Sequence, residues 1–199
     1  DDGTMARRPD LEVFAAEHGL GILTIEQLIR HRLERETQVE AATEVEVVPA
    51  GLSQTFRLIA YRSSVDATQY MALVLGQPRP DQPALVRMHR ASLPRDVFGM
   101  VKGGVGSKNF GALKKIEEAG VGVFVFVLPE RIDLVRQVQM LAGEVPQGAD
   151  TPELREFGLG AQVLASLGLS QIRLMTDNPK RIVGLQGFGL AVVERVALT

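Results

Sequence analysis

The stretch SKNFGALKKIEEAGVGVFVFVL, residues 107–128, decides the fold class, because a helical pattern gives way within it to a strand pattern. Its first part is predicted to be a helix that ends at Gly120, since glycine often stands where helices stop. The run VGVFVFVL is continuously apolar, which is typical of a strand buried on both faces. A buried strand directly after a helix predicts a sheet that is covered by helices.

The rest of the second half repeats this alternation. ERIDLVRQVQMLAG (130–143) and ELREFGLGAQVLASLG (153–168) are predicted helices. QIRLMT (171–176) and LAVVERV (190–196) are predicted strands, and NPKRIVGLQGFG (178–189) between them is a predicted short helix. Together these segments favour an α/β protein.

The first half has a different character. Four short β-rich runs, VEVVPA, TFRLIAYR, YMALVLG and ALVRMHR, lie between residues 45 and 90 and are separated by turn residues such as QPRPDQP (77–83). We interpret them as an antiparallel meander. The polar, weakly patterned residues 36–44 that precede them predict a domain boundary.

The N-terminal residues form a pattern of their own. Residues 10–18 place apolar side chains on one helical face, and GILTI (21–25) is predicted to be a short strand. TIEQLIRHRLERE (24–36) is a predicted helix, because Thr24 and Gln27 stand in capping-box spacing. The chain begins DDGTMARRPD, without an initiator methionine, so we expect a fragment of a longer protein.

Composition and charge narrow the class of protein. With 199 residues, 45% of them apolar and 23% charged, the chain fits one well-buried domain of an ordinary globular protein. The net charge of -2 gives no reason to expect nucleic acid or a membrane as a partner. No apolar run has the length of a spanning helix, and we expect a cytoplasmic location.

The chain contains no cysteine, which excludes disulfides, thiolate nucleophiles, iron–sulfur clusters and cysteine-ligated zinc. Its three histidines, His18, His31 and His89, are far apart in sequence. His31 lies among charges on a predicted helix and is interpreted as solvated. A metal site would need histidine and carboxylates that the fold brings together, and the sequence predicts none.

Several stretches resemble a known pair of enzymes. The N-terminal DDGTMARRPDLEVFAAEHGLGILTIEQLIRHR is similar to the C-terminal end of 3,4-dihydroxy-2-butanone 4-phosphate synthase, a lyase. RMHRASLPRDVFG (87–99), LREFGLGAQVLASLG (154–168) and IRLMTDNPKRIVGLQGFGL (172–190) resemble GTP cyclohydrolase II, a hydrolase. The two are often fused in bifunctional riboflavin-biosynthesis proteins. The resemblance implies a synthase tail at residues 1–36 and, at residues 45–199, a three-layer α/β/α domain with a mixed sheet.

The same resemblance implies a zinc site whose ligands this chain lacks. In GTP cyclohydrolase II three cysteines hold the metal, one ending a His-Ser-Glu-Cys run and two in Cys-Asp-Cys-Gly. These runs fall on residues 89–92 and 103–106, which puts Ser92, Gly103 and Val105 at the ligand positions. A serine hydroxyl is a poor zinc ligand, and the side chains of glycine and valine have no donor atom. We therefore expect no zinc cofactor and no zinc-activated water.

The family's catalytic residues are matched only in part. Its Gln-Glu-Gly-Arg segment, which faces the triphosphate, falls on Pro-Glu-Arg-Ile, where only Glu130 is kept as a candidate nucleotide contact. Its Asp-x-Arg, a proton acceptor and a nucleophilic arginine, is matched by Glu153 and Arg155, which are degenerate candidates for catalysis. The family's catalytic-region tyrosine has no counterpart, because Tyr61 and Tyr70 lie in the meander.

The family's nucleotide-binding positions are better kept. Arg87 and His89 are retained from the first nucleotide-contacting run, and Thr176 matches a nucleotide-contacting threonine. Arg181 matches a lysine of the family, and Lys108 stands where the family has a glutamine. These residues are the candidate contacts for GTP or another phosphate ligand.

Several of these residues also have purely structural interpretations. GGVGSK (103–108) is not a Walker loop, because its order is Ser-Lys, although the amides of the following helix offer an anion site. Asp177 or Asn178 equally fits a helix cap, and Glu153 and Arg155 fit an exposed helix surface. The local cations form either a solvated face or a residual phosphate pocket; they are Arg87, His89, Arg90, Arg95, Lys102 and Lys108.

Two functions follow from these patterns. The first is a non-catalytic interaction or regulatory module behind a fused synthase, retained for folding, dimerisation or tuning of that partner. The second is an enzyme that acts on a nucleotide or phosphate ester by a metal-free route through Glu153 and Arg155. The missing zinc ligands, tyrosine and triphosphate segment favour the first. The family resemblance also implies a homodimer.

Overall fold

A seven-stranded sheet forms the middle layer of the computed structural model, which describes residues 5–101, 104–105, 108–144, 150–177 and 188–198. The strands of this sheet are β1 (Val39–Val47), β2 (Phe56–Ser63), β3 (Gln69–Leu75), β4 (Ala84–Arg90), β7 (Gly122–Leu128), β8 (Gln171–Met175) and β9 (Ala191–Val196). β5 (Met100–Val101) and β6 (Gly104–Val105) pair separately. The helices are α1 (Arg8–His18), α2 (Ile25–Arg35), α3 (Leu93–Asp96), α4 (Lys108–Ala119), α5 (Leu134–Ala142) and α6 (Asp150–Ser166).

The sheet joins an antiparallel meander to a parallel half. Its strand order is β1-β2-β3-β7-β4-β8-β9. Neighbours from β1 to β7 are antiparallel, whereas the β7–β4, β4–β8 and β8–β9 pairs are parallel. The halves meet at β7, where Phe124 pairs with Leu73 of β3 on one edge and with Arg87 of β4 on the other. The predicted meander and the predicted mixed sheet are both confirmed.

The side chains of β7 alternate between two buried layers. Val123 and Val125 belong to the core that includes Leu159 of α6, whereas Phe124 belongs to the core that includes Ile116 of α4. Because both faces of β7 are covered, successive positions need apolar side chains, which explains the continuous run VGVFVFVL. The predicted three-layer α/β/α arrangement is confirmed.

A buried amide fastens α2 to α6. The Gln162 side chain donates to the carbonyl oxygens of Leu33 (2.7 Å) and Glu36 (2.8 Å), and it accepts from the backbone N of Gln38 (2.7 Å). These bonds satisfy carbonyls that the end of a helix leaves without an internal partner. Gly158 permits the close approach of the two helices, since a Cβ there would lie 2.7 Å from Leu33 Cδ1.

The N-terminal region agrees with the prediction except for one element. α1 and α2 are present, and the capping box is confirmed, because Thr24 Oγ1 accepts from Gln27 N at 3.1 Å and Thr24 N donates to Gln27 Oε1 at 2.8 Å. The strand predicted at GILTI is wrong, since residues 21–24 form no strand. Leu23 is 66% exposed in this connection, and no strand in the described part of the chain pairs with its backbone.

Several element boundaries also differ from the prediction, and α5 begins at Leu134 rather than at residue 130. β1 begins at Val39 rather than at residue 45, because an edge strand exposed along most of its length tolerates the polar residues 39–44. α6 begins at Asp150 rather than at residue 153. Most of the short helix predicted at NPKRIVGLQGFG falls on residues 178–187, which lie outside the described residues. No helix in the described part of the chain is long and apolar enough to cross a membrane.

We predict that Gly122→Ala destabilises the fold. A Cβ at Gly122 would lie 2.7 Å from the Leu85 carbonyl oxygen and 3.0 Å from Ile116 Cγ1, so the strand or α4 must shift. We expect the free energy of unfolding in urea to fall by about 1–3 kcal/mol. Gly111→Ala in α4 is the matched control, because its nearest neighbour, Leu198 O, is 3.9 Å away. The control should gain about 0.5–1 kcal/mol from helix propensity, and equal effects at both positions would contradict the prediction.

Candidate functional site

The carboxyl ends of the parallel strands β4, β7 and β8 lie together at one edge of the sheet, where α/β proteins commonly bind ligands. β4 sends polar side chains to both faces of this edge, because successive strand residues point in opposite directions. His89 points to the α4 face, with its ring centroid 5.5 Å from that of Phe126, and Arg87 shares that face. Arg90 points to the α6 face and meets Glu156. The sheet therefore separates two polar groups of residues.

On the α4 face, one carboxylate joins three elements. Asp96 Oδ1 lies 2.8 Å from His89 Nε2 and accepts from Asn109 Nδ2 at 3.0 Å, while Oδ2 accepts from the backbone N of Ser92 at 2.7 Å. Burial disfavours the charge on Asp96, but the hydrogen bonds from His89, Ser92 and Asn109 outweigh it and lower the pKa of this carboxyl. The carboxylate thereby holds β4, α3 and α4 together. We call this group, with Arg87, Lys108, Thr176 and Asp177, the α4-face cluster.

Arg87 is half-buried at the end of β8. Its Nη1 donates to the carbonyl oxygen of Met175 at 3.1 Å. Its buried Nε has no hydrogen-bond partner among the residues that the structure describes. Burial lowers the pKa of the Arg87 guanidinium, and the nearby Asp177 offsets part of that effect. An unpaired buried N–H is unfavourable, so this guanidinium is suited to an acceptor from outside the described residues.

Asp177 connects α4 to the ends of β8 and β9. Its carboxylate forms an ion pair with Lys108, and its Oδ1 accepts from the backbone N of Leu198 at 2.9 Å. These two hydrogen bonds lower the pKa of Asp177. Beside it, the backbone N of Thr176 donates to the carbonyl oxygen of Val196 at 2.9 Å. Both oxygens of Asp177 are thus engaged by residues outside the predicted 178–189 helix.

On the α6 face, Arg90 and Glu156 form a two-point ion pair. Arg90 Nε is 2.6 Å from Glu156 Oε2, and Arg90 Nη2 is 3.3 Å from Oε1. The Glu156 side chain is only 10% exposed. The buried hydroxyl of Tyr70 donates to the backbone oxygen of Glu156 at 3.1 Å. Burial, with the charges of Asp66 and Glu156, raises the pKa of Tyr70 far above its usual value, so this phenol stays a neutral donor.

A cavity of about 370 Å³ opens beside this ion pair and is called the α6-face cavity below. Asp66, from the turn between β2 and β3, accepts from Thr68 N at 3.0 Å and lies 3.9 Å from Arg155 Nη1. The acidic and basic residues of its lining balance in charge: Arg90, Arg131, Arg136, Arg155, Asp66, Glu130, Asp133 and Glu156. Two of its four arginines thus face a carboxylate partner within the wall.

The sheet divides the predicted site residues between these two places. Glu130 and Arg155 line the α6-face cavity, whereas Arg87, His89, Lys108 and Thr176 belong to the α4-face cluster. Arg181 and Gly103 lie outside the described residues. Glu153 lies in the first turn of α6, and Val105 lies in β6. Among the described residues, the predicted nucleotide contacts therefore do not meet in a single cavity.

Five residues that organise these two groups of side chains were not predicted from the sequence. The sequence positions of two of them hint at their role, because Asp96 follows Ser92 by one helical turn and Glu156 directly follows Arg155. No sequence pattern points to Asn109, Asp66 or Tyr70. Asp66 and Tyr70 belong to the antiparallel half of the sheet and reach the α6-face cavity only because β3 lies beside β7.

The zinc ion that the resemblance implies does not fit the residues present. The chain has no cysteine, and Ser92 precedes α3 with its amide bonded to Asp96. Val105 lies in β6 and valine has no donor atom. No group of three or more His, Asp or Glu side chains that could hold a metal occurs in the described part of the chain.

We predict that Asp96 makes the free energy of unfolding depend on pH in the acidic range. Its pKa is lower in the folded chain than the ordinary value of about 3.9, so its contribution is present above that pH and is lost as the pH falls through the lower folded value. Asp96→Asn should lower the free energy of unfolding by about 1–2 kcal/mol at pH 7. The gap to wild type should narrow below about pH 4. Asp81→Asn, at an exposed loop carboxylate, is the control, and a gap that stays constant down to pH 3 would refute the assignment.

We predict that Arg90→Ala is more destabilising than an equivalent change at the surface. It leaves the nearly buried Glu156 carboxylate without its guanidinium, which should cost about 1–3 kcal/mol in chemical denaturation. Arg57→Ala removes the exposed pair with Glu44, where both side chains are more than 40% exposed, and should cost at most about 0.5 kcal/mol. Equal losses for the two variants would show that the Arg90–Glu156 pair has no special role.

Two longer proteins are similar to the chain over its whole length. It is 40% identical over 213 residues to the Riboflavin biosynthesis protein RibBA of Aquifex aeolicus (strain VF5), with 100% of this chain matching 51% of that protein. It is also 40% identical over 210 residues to the RibBA protein of Bacillus cytotoxicus, with 100% of this chain matching 52% of that protein. The chain spans about half the length of the curated relatives it matches.

A solved structure has the same fold. RibBX, described as a two domain 3,4-dihydroxy-2-butanone 4-phosphate synthase from A. baumannii, superposes with a TM-score of 0.66 at 29% sequence identity, over 99% of this chain and 51% of that chain. The pattern of the family described as GTP cyclohydrolase II matches residues 40–197. Because that match takes in most of the sheet and both covering helix layers, the chain belongs to the GTP cyclohydrolase II family.

Proposed function

We propose that this chain is a zinc-free, catalytically degenerate member of its family that serves as a structural or regulatory module for a fused synthase. The observation that carries the proposal is the set of donors at the family's zinc positions. Ser92, Gly103 and Val105 cannot replace three thiolates, and no cysteine occurs elsewhere in the chain. Without the metal, this chain has no zinc ion to lower the pKa of a bound water, which is how the family activates water.

The bonding around the former ligand positions supports this proposal. The amide of Ser92 and the side chains of His89 and Asn109 are all bonded to Asp96. On the other face, Glu156 is held by Arg90, which stands where the family has a serine. Polar groups that are engaged with one another stabilise the domain, and the carboxylates of Asp96 and Glu156 are taken up by these contacts.

The names of the relatives support the proposal that this module is fused to a synthase. They are named for riboflavin biosynthesis, and the A. baumannii protein of two domains is named for synthase activity alone. We infer that residues 1–36 are the tail of a synthase domain, that residues 45–199 form the cyclohydrolase II-like module, and that the module is a homodimer. Its contribution to the synthase is then to fold with it, to dimerise it or to tune it.

We further propose that the α4-face cluster keeps affinity for a nucleotide or another phosphate ligand. Arg87 supplies a buried N–H without a described partner, and Lys108 adds a second cation at the start of α4. Thr176 stands beside them at the end of β8. The Arg181 position, which matches a lysine of the family, belongs to the same proposal.

A second function is favoured by the α6-face cavity. Arg155 and Glu130 line it together, so the retained arginine faces an open space large enough for a small phosphate ester. In that case Arg155 acts with Glu153 by a metal-free route. This enzyme activity is the alternative that the experiment has to separate from the non-catalytic module.

Zinc content, GTP turnover and ligand binding test the proposal on the purified chain. We expect less than about 0.1 zinc per chain and no formate release from GTP, because no thiolate ligands exist. The triple variant Ser92→Cys, Gly103→Cys, Val105→Cys is the positive control and should take up zinc. Stoichiometric zinc or GTP turnover in the wild type would overturn the proposal. Turnover that Arg155→Ala abolishes would establish the metal-free enzyme, and calorimetry with GTP decides whether a nucleotide still binds.

A further inference from the structure

The α6-face cavity is lined by arginines whose hydrogen-bond donors the surrounding wall does not use. Arg131 and Arg136 line it, and their guanidinium groups make no ion pair with any residue that the structure describes. Arg155 also lines it, and its Nη1 lies 3.9 Å from Asp66 Oδ2, which is longer than a hydrogen bond. Three arginines with unused N–H groups therefore share one cavity.

The carboxylates of the same wall are more fully engaged. Arg90 holds both oxygens of Glu156, at 2.6 Å and 3.3 Å. Asp66 and Asp133 each accept a hydrogen bond from a backbone N–H. Glu130 is exposed and has no partner in the described part of the chain. The wall is balanced in charge, but most of its unused hydrogen-bonding groups are donors.

Unused guanidinium groups are suited to an oxyanion. The planar fork of an arginine donates two parallel hydrogen bonds to a phosphate or a carboxylate. The three arginines come from different elements, because Arg131 follows β7, Arg136 lies in α5 and Arg155 lies in α6. A phosphomonoester carries about 1.5 to 2 negative charges at pH 7 and three strong acceptor oxygens, so it can accept from more than one arginine at once.

The remaining acceptors select what is attached to the phosphate. The negative charge of Glu130 disfavours a bare anion, whereas its oxygens accept hydrogen bonds from hydroxyl groups. Asp133 uses Oδ1 to cap α5, which leaves Oδ2 as a second acceptor among the described residues. Pro129 and Met140 in the lining offer apolar contacts to a carbon skeleton. A hydroxylated phosphate ester satisfies this mixed wall better than an inorganic anion does.

The volume of the cavity limits the size of its ligand. At about 370 Å³ it is near the lower end of the roughly 300–1,000 Å³ that is usual for small-molecule sites. One sugar with one phosphate matches that space better than a nucleotide, which adds a base and further phosphates.

We propose that the α6-face cavity binds a small hydroxylated phosphomonoester of the sugar-phosphate class. Arg131, Arg136 and Arg155 hold its phosphate group, and Glu130 and Asp133 accept from its hydroxyls. The inference rests on the proposed function, since it names a ligand for a regulatory module. It is separate from the nucleotide proposed for the α4-face cluster, because the sheet lies between the two places.

The position of the cavity suits a regulatory ligand. α6 contributes Arg155 and Glu156 to the cavity wall. Two helical turns later, Gln162 of the same helix donates to the carbonyl oxygens of Leu33 and Glu36 at the end of α2. One helix therefore connects the ligand site to the proposed synthase tail.

Isothermal titration calorimetry of the purified 199-residue chain with ribose 5-phosphate tests the site. We expect a single binding site per chain. Inorganic phosphate and ribose should each bind at least about tenfold more weakly, because each lacks part of the contacts. Arg131→Ala and Arg136→Ala should each weaken ribose 5-phosphate at least about tenfold, since each removes hydrogen bonds to a charged group. Arg79→Ala, at an exposed arginine outside the lining, is the matched control and should leave the affinity unchanged.

Two further variants separate recognition of the phosphate from recognition of the hydroxyls. Glu130→Ala should lower the ratio of the affinity for ribose 5-phosphate to that for inorganic phosphate, whereas Arg136→Ala should weaken both ligands. Arg136→Lys should recover part of the affinity, because lysine keeps the charge but not the two-point geometry. Circular dichroism establishes that each variant is folded.

The outcomes distinguish this site from the proposed function on which it rests. The site is refuted if ribose 5-phosphate does not bind at millimolar concentration, if inorganic phosphate binds equally well, or if Arg79→Ala weakens binding as much as Arg136→Ala. Tighter binding of GTP or of free serine that Arg136→Ala weakens would also refute it, because the cavity would then take another class of ligand. Conversion of bound ribose 5-phosphate would support the site and overturn only the non-catalytic role.

Discussion

The burial of β7 on both faces and both edges is the constraint around which the rest of the structure is arranged. Its backbone is paired with β3 and β4, and its side chains reach the cores under α4 and α6. A strand so enclosed satisfies its peptide groups only if a neighbour pairs with each edge, and here one neighbour is antiparallel and the other parallel. The parallel neighbour brings the end of β4, with His89 and Arg90, to the same edge as the end of β7.

The period of two along β4 then sorts these polar residues. The side chains of Arg87 and His89 enter one layer and that of Arg90 enters the other. The sheet therefore separates residues that are close together in the sequence. In both layers the carboxylates are used as connectors. Asp96 joins β4, α3 and α4, and Glu156 joins α6 to β4 and, through Tyr70, to β3. Such connections hold the elements of the domain together, and the degenerate role that we propose rests on them together with the missing zinc ligands.

α5 links the interior of the domain to its exterior. Its Gln137 side chain is bonded to Ala91 and Leu93, and Asp133, Arg136 and Gln137 line the α6-face cavity, while Leu134, Val135 and Val138 are more than half exposed.

Local sequence patterns by themselves determined most elements of this protein. Periodicity and turn chemistry predicted the α4–β7 unit, the meander, α6 and the capping box at Thr24. The absence of cysteine likewise excludes thiolate zinc ligands on composition alone. The strand predicted at GILTI and the predicted start of β1 were wrong, because a strand forms only beside a neighbouring strand edge, which the local sequence does not specify. Only the tertiary structure decided that the predicted site residues lie on two faces of the sheet, that Asp66 and Tyr70 reach the cavity, and that α5 faces outward, since each depends on contacts between residues distant in sequence.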